Sequence, residues 1–505
     1  MAHPKICGIE TEFGIFVRGA DMSPMTASSL LVNAYTDHGL GLRAWDFADE
    51  RPDHSDLEGW RPEADYPEVE MLMANAVLTN GARYYVDHAH PEMSTPECRS
   101  PRQAVLYDRA GEEIVRESLR RANGRLPEGV GLFCHKNNSD GKGNSYGCHE
   151  NYLVSRDVPF ARIVDCLTTH FVTRQVFTGA GKVGTEIQRA DEPGTAFQLS
   201  QRADFFEERV GLETTVRRPI INTRDEPHCD PSVWRRLHVI VGDANMSETA
   251  TWLKLGTTAI VLAMVEDDAF PRDLTIEDPV TAMRRVSRDT TLTRTVRISD
   301  ASERTALEVQ QRILAAAKTW WSGTREDPLG GDTDGILALW ESVLASLSRD
   351  PLEVADIVDW VAKKRIVDAM AARHGLDPDH PRLRAVDLQY HDLDPGRCLA
   401  RRVGLRTMFT EAQVRAAVSD PPPETRAFFR GECIRRFEDQ VVSANWDHIV
   451  FDTGDGQLQR VSMGDPLKGT AALVGPLFDS VADASGLLDA LGKDAVEQVA
   501  DHPGW

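Results

Sequence analysis

The run "ARYYVDHAHPE" (82–92) constrains this chain more than any other stretch. Arg83, Tyr85 and Asp87 alternate with Tyr84 and Val86, which is the period of an extended strand. The guanidinium, the phenol and the carboxylate therefore share one face. Two further runs repeat the pattern. "KICGIETEFGIFV" (5–17) turns Glu10 and Glu12 one way and Ile9, Phe13, Ile15 and Val17 the other, and "YGCHENYLV" (146–154) pairs His149 with Asn151. An antiparallel sheet with one face on the core and one toward water produces such alternation.

The remaining order is α+β. "RQAVLYDRAGEEIVRESLRRAN" (102–123) reads as an amphipathic helix, and residues 26–39 also read as helical. Strand-like runs recur at 130–135, 148–154, 216–222 and 236–241, and a mostly helical region spans 300–375. Regular β-α-β alternation is missing, which argues against a doubly wound fold. Between the first two polar strands lies "LGLRAWDFADERPDHSDLEGWRPEADYPEVE" (40–70), with ten acids, three arginines and three prolines and no clean period. It reads as a long, largely irregular insertion of about 40–78, and loops that long are usually functional or disordered. "SDPPPETRAF" (419–428) breaks the chain again. The expected division is a catalytic domain over 1–422 and a small C-terminal domain over 423–505.

Composition excludes some partners. A net charge of −22 over 505 residues argues against bulk nucleic-acid or anionic-membrane binding. An anionic partner would need a local basic groove, for which Arg217, Arg218, Arg235, Arg236 and the arginines of 284–297 are candidates. Eight scattered cysteines without a CxxC pair read as reduced cytosolic thiols. No export signal is visible at the N-terminus. "LGTTAIVLAMV" (255–265) is about half the length needed to span a bilayer and reads as a buried helix, so no membrane partner is expected. A cytoplasmic monomer is the expectation.

Carboxylates clustered with Tyr, His and Asn suit hard cations. Magnesium takes a few carboxylates and fills its shell with water and phosphate oxygens, and an arginine fork beside it suits phosphate. Taken singly, an ExE pair on a strand is an ordinary solvated face and His149 an ordinary structural histidine. Three strands repeating one arrangement support a metal- and phosphate-binding α+β enzyme. No GxxxxGK[ST] or GxGxxG stretch follows a strand, so no P-loop or Rossmann phosphate site is supported.

"GIETEFG" (8–14), "NGARYYVDHAHPEMSTPEC" (80–98), "SYGCHENYLV" (145–154), "RRPIINTRDEPH" (217–228), "RLHVIVGDANMSE" (236–248) and "LQYHDLD" (388–394) together closely resemble the Pup ligase/deamidase family. These proteins are relatives of glutamine synthetase and the carboxylate–amine ligases. One branch ligates the small protein Pup to lysines; the other deamidates its C-terminal glutamine and removes Pup from conjugates. The insertion at 40–78 and the tight "VDHAHPE" spacing resemble the hydrolase branch. The resemblance implies a glutamine synthetase-like domain whose curved, mostly antiparallel sheet cradles ATP (or ADP) and Mg2+, backed by helices, with a small C-terminal α/β domain. It implies Glu10, Tyr85 and Glu92 as metal ligands, with Glu12 and His149 in or near the same cluster. Arg83, Thr95 and Trp446 would contact nucleotide, and Glu92 would return from a loop after the strand. Asp87 would be the catalytic residue, as nucleophile or as base. Pup and pupylated proteins are the implied partners. A Pup–protein ligase, another carboxylate–amine ligase and a catalytically silent Pup- or nucleotide-binding regulator are the alternatives.

Overall fold

The computed structural model describes residues 2–36, 43–46, 74–187, 194–454, 456–493 and 495–499. Its polar strands lie side by side in one sheet. The strands are β1 (Cys7–Glu12), β2 (Arg43–Trp45), β3 (Asn75–Val77), β4 (Arg83–Asp87), β5 (His90–Ser94), β6 (Cys148–Ser155), β7 (Trp234–Val239), β8 (Val441–Ala444), β9 (His448–Asp452), β10 (Leu458–Ser462) and β11 (Val496–Val499). Their spatial order is β7-β6-β1-β5-β4-β3-β2-β8-β9-β10-β11. Neighbours are antiparallel except β2 and β8, which run parallel. The mostly antiparallel α+β architecture is as expected.

Register decides which polar groups meet. Glu12 stands opposite Glu92, and Glu92 opposite Tyr85. Glu10 stands opposite Ser94 on one side and His149 on the other. Residues opposite one another in a ladder project to the same face, so the acids of β1, β4 and β5 converge. Glu92 lies within β5, not in a loop as expected. The chain reverses after Asp87 in two residues, because Asp87 pairs directly with His90. Pro91, a residue that usually marks strand edges, hid this strand from the sequence pattern.

The opposite face is the core. Ile9, Tyr84, Val86, Met93, Tyr152 and Leu237 are buried there. Behind it lie α1 (Pro101–Asn123), which starts at Ser100 whose hydroxyl accepts from the Gln103 N–H, and α2 (Glu248–Glu266), capped by Ser247 through the Ala250 N–H. Every residue of α2 from Leu253 to Val265 is buried. Replacing Leu262 by alanine there is expected to cost ~2–5 kcal/mol. Among the described residues no helix is long and apolar enough to cross a membrane. Below the sheet the Arg174 guanidinium donates to both Glu150 oxygens, at 2.6 and 2.9 Å, which satisfies a fully buried charge pair.

Two expectations need correction. Residues 5–17 are not one strand: β1 ends at Glu12, and Gly14–Arg18 pairs instead with Gly131–His135, leaving Phe16 exposed. The insertion, expected to be largely irregular, contributes β2 and β3; three-residue strands are too short to show a period. Residues 37–42 and 47–73, the rest of that insertion as far as β3, lie outside the described residues.

Beyond residue 422, α3 (Ala427–Arg436), β8–β11 and two short helices enclose their own apolar cluster around Phe429, Phe437, Phe451 and Phe478. Trp45 of β2 and Val77 of β3 join that cluster. The sheet therefore runs through both parts of the chain. Arg426 and Arg430 of the C-terminal part also bind Glu97, Arg426 Nε donating at 2.7 Å. Burial pushes the Glu97 carboxyl up, but the two guanidiniums outweigh it and hold it at about 2.

Candidate active site

The polar face of the sheet forms the floor of a cavity of about 750 Å³. Glu10 and Glu12 come from β1, Arg83, Tyr85 and Asp87 from β4, Glu92 from β5 and His149 from β6. Trp446, in the turn between β8 and β9, lines it from the C-terminal part. Thr95 does not reach this cavity. It lines a smaller neighbouring hollow with Gly8 and Trp446, and its hydroxyl accepts from the Ile9 N–H at 3.0 Å.

Two clusters of possible metal ligands lie side by side. One ligand atom each from Glu10, His149 and His238 lies within 4.8 Å of the others, as does one each from Glu12, Asp87 and Glu92. Glu10 is well supplied with partners. It accepts from Asn151 Nδ2 at 2.8 Å, with His149 Nδ1 at 3.4 Å and Arg236 Nη1 at 3.5 Å. Burial pushes its carboxyl up, but His149, His238 and Arg236 overcome this and hold it below the ordinary carboxylate range. Glu12 accepts from the Gly147 N–H at 2.9 Å and lies 3.5 Å from His90 Nδ1. A Cβ at Gly147 would sit 2.3 Å from His149 Nε2 and 2.7 Å from Glu12 Oε1, so a side chain there would push these two groups aside. Glu92 is different: burial first, then repulsion from Asp87, Glu12 and Glu10, drive its carboxyl well above the usual value. Like charges placed directly opposite destabilise a ladder, and Glu12, Asp87 and Glu92 form one of the groups that could hold a cation.

Arg83 is clamped between aromatic rings, its guanidinium 3.9 Å from the Trp45 centroid and 4.0 Å from that of Tyr85. Its Nε donates to Asn75 Oδ1 at 3.0 Å. Trp45 in turn meets Trp446 edge-on at 5.3 Å. Burial, then the nearby Glu92, raise the Tyr85 phenol well above its ordinary value, with Arg83 opposing. Arg202, Arg218, Arg224 and Arg236 line the rest of the cavity. The Nε groups of Arg224 and Arg236 are buried and lack a hydrogen-bond partner among the described residues. Of the other basic candidates, Arg217 is exposed and paired with Glu208, Arg235 is buried and donates to Val158 O, and Arg288 is buried against Asp204.

Sequence reasoning missed His90, His238, Arg202, Arg224 and the glycine at 147 as parts of the site. His238 follows Arg236 by two residues on β7, so the strand period could have found it. Arg202 and Arg224 sit in connections without a period.

A family model described as Pup-ligase protein matches residues 5–450. A protein of Acidothermus cellulolyticus named depupylase is 49% identical over 96% of this chain and 99% of its own length. A Pup deamidase/depupylase of Mycolicibacterium smegmatis is 45% identical with the same coverage. The solved complex between the prokaryotic ubiquitin-like protein Pup and its ligase PafA matches with a TM-score of 0.79 and 31% identity, over 97% of this chain and 96% of that one.

Proposed function

The chain belongs to the Pup-ligase protein family, and on that premise we propose that it is a hydrolase that deamidates the C-terminal glutamine of Pup and cleaves the Pup–lysine isopeptide bond. The observation that carries this reading is near-full-length identity of 45–49% to proteins named depupylase and Pup deamidase/depupylase. Both substrates present the same γ-carbonyl. Only the leaving group differs, ammonia in one case and a lysine amine in the other.

Asp87 is our catalytic residue. Its side chain is 37% exposed at the cavity rim, while Glu92 behind it is buried. A rim position lets a bulky conjugate reach the carboxylate. Asp87 attacks the γ-carbonyl to give an anhydride, which water opens; acting as base toward a water is the alternative. Arg218, which lines the same cavity, would offer a guanidinium donor to the oxygen that gains charge.

A divalent cation and a nucleotide fit the donors present. Glu10, Glu12, Tyr85, Glu92 and His149 would hold Mg2+, and the opposed Glu12–Glu92 pair supports a hard cation there. Arg83 and Trp446 would contact ATP or ADP, with Thr95 at the adjoining hollow. The orphaned Nε groups of Arg224 and Arg236 support an anionic ligand such as phosphate. When bound, the cation polarises oxygens and neutralises charge. We further propose a regulatory or gating role for the acidic insertion at the nucleotide site, supported by the packing of Trp45 on Arg83. Domains 1–422 and 423–505, and a cytoplasmic monomer, complete the reading.

The test is mass measurement on Pup ending in glutamine, incubated with this protein, ATP and magnesium. A gain of one mass unit with ammonia release supports the hydrolase. A Pup–protein conjugate formed from Pup ending in glutamate would support instead the ligase reading, which the 0.79 TM-score to a Pup ligase favours. Unaltered Pup with retained binding would leave a silent regulator.

A further inference from the structure

We propose that His88 carries the proton in this hydrolysis, giving it to the leaving nitrogen and taking one back from the attacking water. The proposal rests on the reading above, in which Asp87 attacks the γ-carbonyl.

Two independent observations single out His88. Its Nδ1 lies 3.0 Å from Asp87 Oδ2, and its side chain is 60% exposed at the cavity mouth. It also occupies the first central position of the two-residue turn between Asp87 and His90, with φ of +51°. Tight hairpins place Gly, Asn or Asp at such positions. A side chain at positive φ is uncommon, and residues held in that region concentrate at functional sites. The other cavity histidines are directed elsewhere. His90 faces Glu12 and packs at a tilt on Tyr146, His149 faces Glu10, His238 meets Asn151, and His228 faces Asp447.

The chemistry needs such a group. An amide nitrogen is expelled only as a protonated amine. As the Asp87 oxygen bonds to the γ-carbon, the C–N bond breaks and the His88 Nδ1 proton passes to nitrogen, releasing ammonia or the lysine amine. Neutral His88 then takes a proton from water while the hydroxide opens the anhydride. The glutamate γ-carboxyl leaves, and the Asp87 carboxylate and the imidazolium are restored. One water is consumed per amide. A position at the mouth suits an amine that enters and leaves through bulk solvent.

The experiment compares two leaving groups on one γ-carboxyl, the C-terminal glutamine of Pup and a 4-nitrophenyl γ-ester, whose phenolate departs without a proton. His88→Asn tolerates positive φ and can hydrogen-bond Asp87, but cannot shuttle a proton. Amide turnover is expected to fall ~10²–10³-fold, while the first ester turnover, read as the burst of nitrophenolate before water attacks, stays within about threefold. His88→Gly, relaxed in the turn, is expected to regain amide turnover with added imidazole. Equal losses on both substrates, or no loss on either, overturn the proposal, as does His88→Gly indifferent to imidazole. Asp87→Asn should lose both substrates; if it keeps both, the reading of Asp87 fails and the proposal falls with it.

Discussion

Glu10 and Glu12 stand two residues apart on the same strand, yet they serve opposite surroundings. Glu10 faces His149, Asn151 and Arg236, which neutralise it. Glu12 keeps the Gly147 N–H and His90, but across the ladder it faces Glu92 with Asp87 beyond it, and burial and repulsion force Glu92 to favour its proton. One half of the floor is balanced within the protein; in the other, Glu92 stands among like charges. The difference arises from register, since β6 and β7 bring two histidines and an arginine to Glu10, while β4 and β5 bring Asp87 and Glu92 to Glu12 along with His90.

The largest expected effect lies in the acid-rich half. Asp87→Asn is expected to lower turnover on Pup-glutamine and on conjugates by roughly 10⁴-fold with nucleotide affinity nearly unchanged, measured by ammonia release and by nucleotide titration. Near-normal turnover would remove Asp87 from the site. Next, Glu92→Gln is expected to weaken divalent-cation affinity about 10–100-fold. In thermal melts without divalent cation it should raise the midpoint, because it deletes a buried repulsion. Glu10→Gln should do the reverse and lower that midpoint, because it strands His149 and Arg236. Shifts of the same sign would erase the contrast between the two halves. Smaller again, Arg236→Met is expected to raise the KM for nucleotide about tenfold with kcat held within a few fold. A loss confined to kcat would put Arg236 on the reacting oxygen instead.

The smallest effect lies away from both halves, at Glu97. Its carboxyl is held at about 2 in the fold, below the ordinary 4.5, by Arg430 and Arg426 after burial has opposed them. It therefore adds stability above about pH 4.5 and loses that contribution as pH falls toward 2. Glu97→Gln should flatten the acid limb of a stability–pH curve over that window. An unchanged limb would show the ion pair to be inert.

Much of this was legible because strand periodicity is a local signal. Arg83, Tyr85 and Asp87 announce a shared face, and Ser247 announces the start of α2. Glu10 and Glu12 also read correctly as neighbours on one face. Their divergence was hidden, because it depends on partners about 80 and 140 residues away, and pairing register is not written in either strand alone. The same limit hid β5, whose Pro91 reads as a breaker, and β2, which is too short for a pattern. Arg202 and Arg224 are carried by connections, where position follows from the whole fold. The roles of Asp87, Tyr85 and the other ligands came from family resemblance.

The parallel pairing of β2 with β8 has a consequence for biosynthesis. The Arg43–Trp45 segment leaves the ribosome roughly 400 residues before Val441–Ala444, an interval of about 20–80 s at ordinary elongation rates. Throughout it, the outer rim of β2 offers unpaired amides and carbonyls to any passing strand. A nascent chain of this protein is a template before it is an enzyme, and truncations that stop short of 441 should precipitate where the full-length chain stays dissolved.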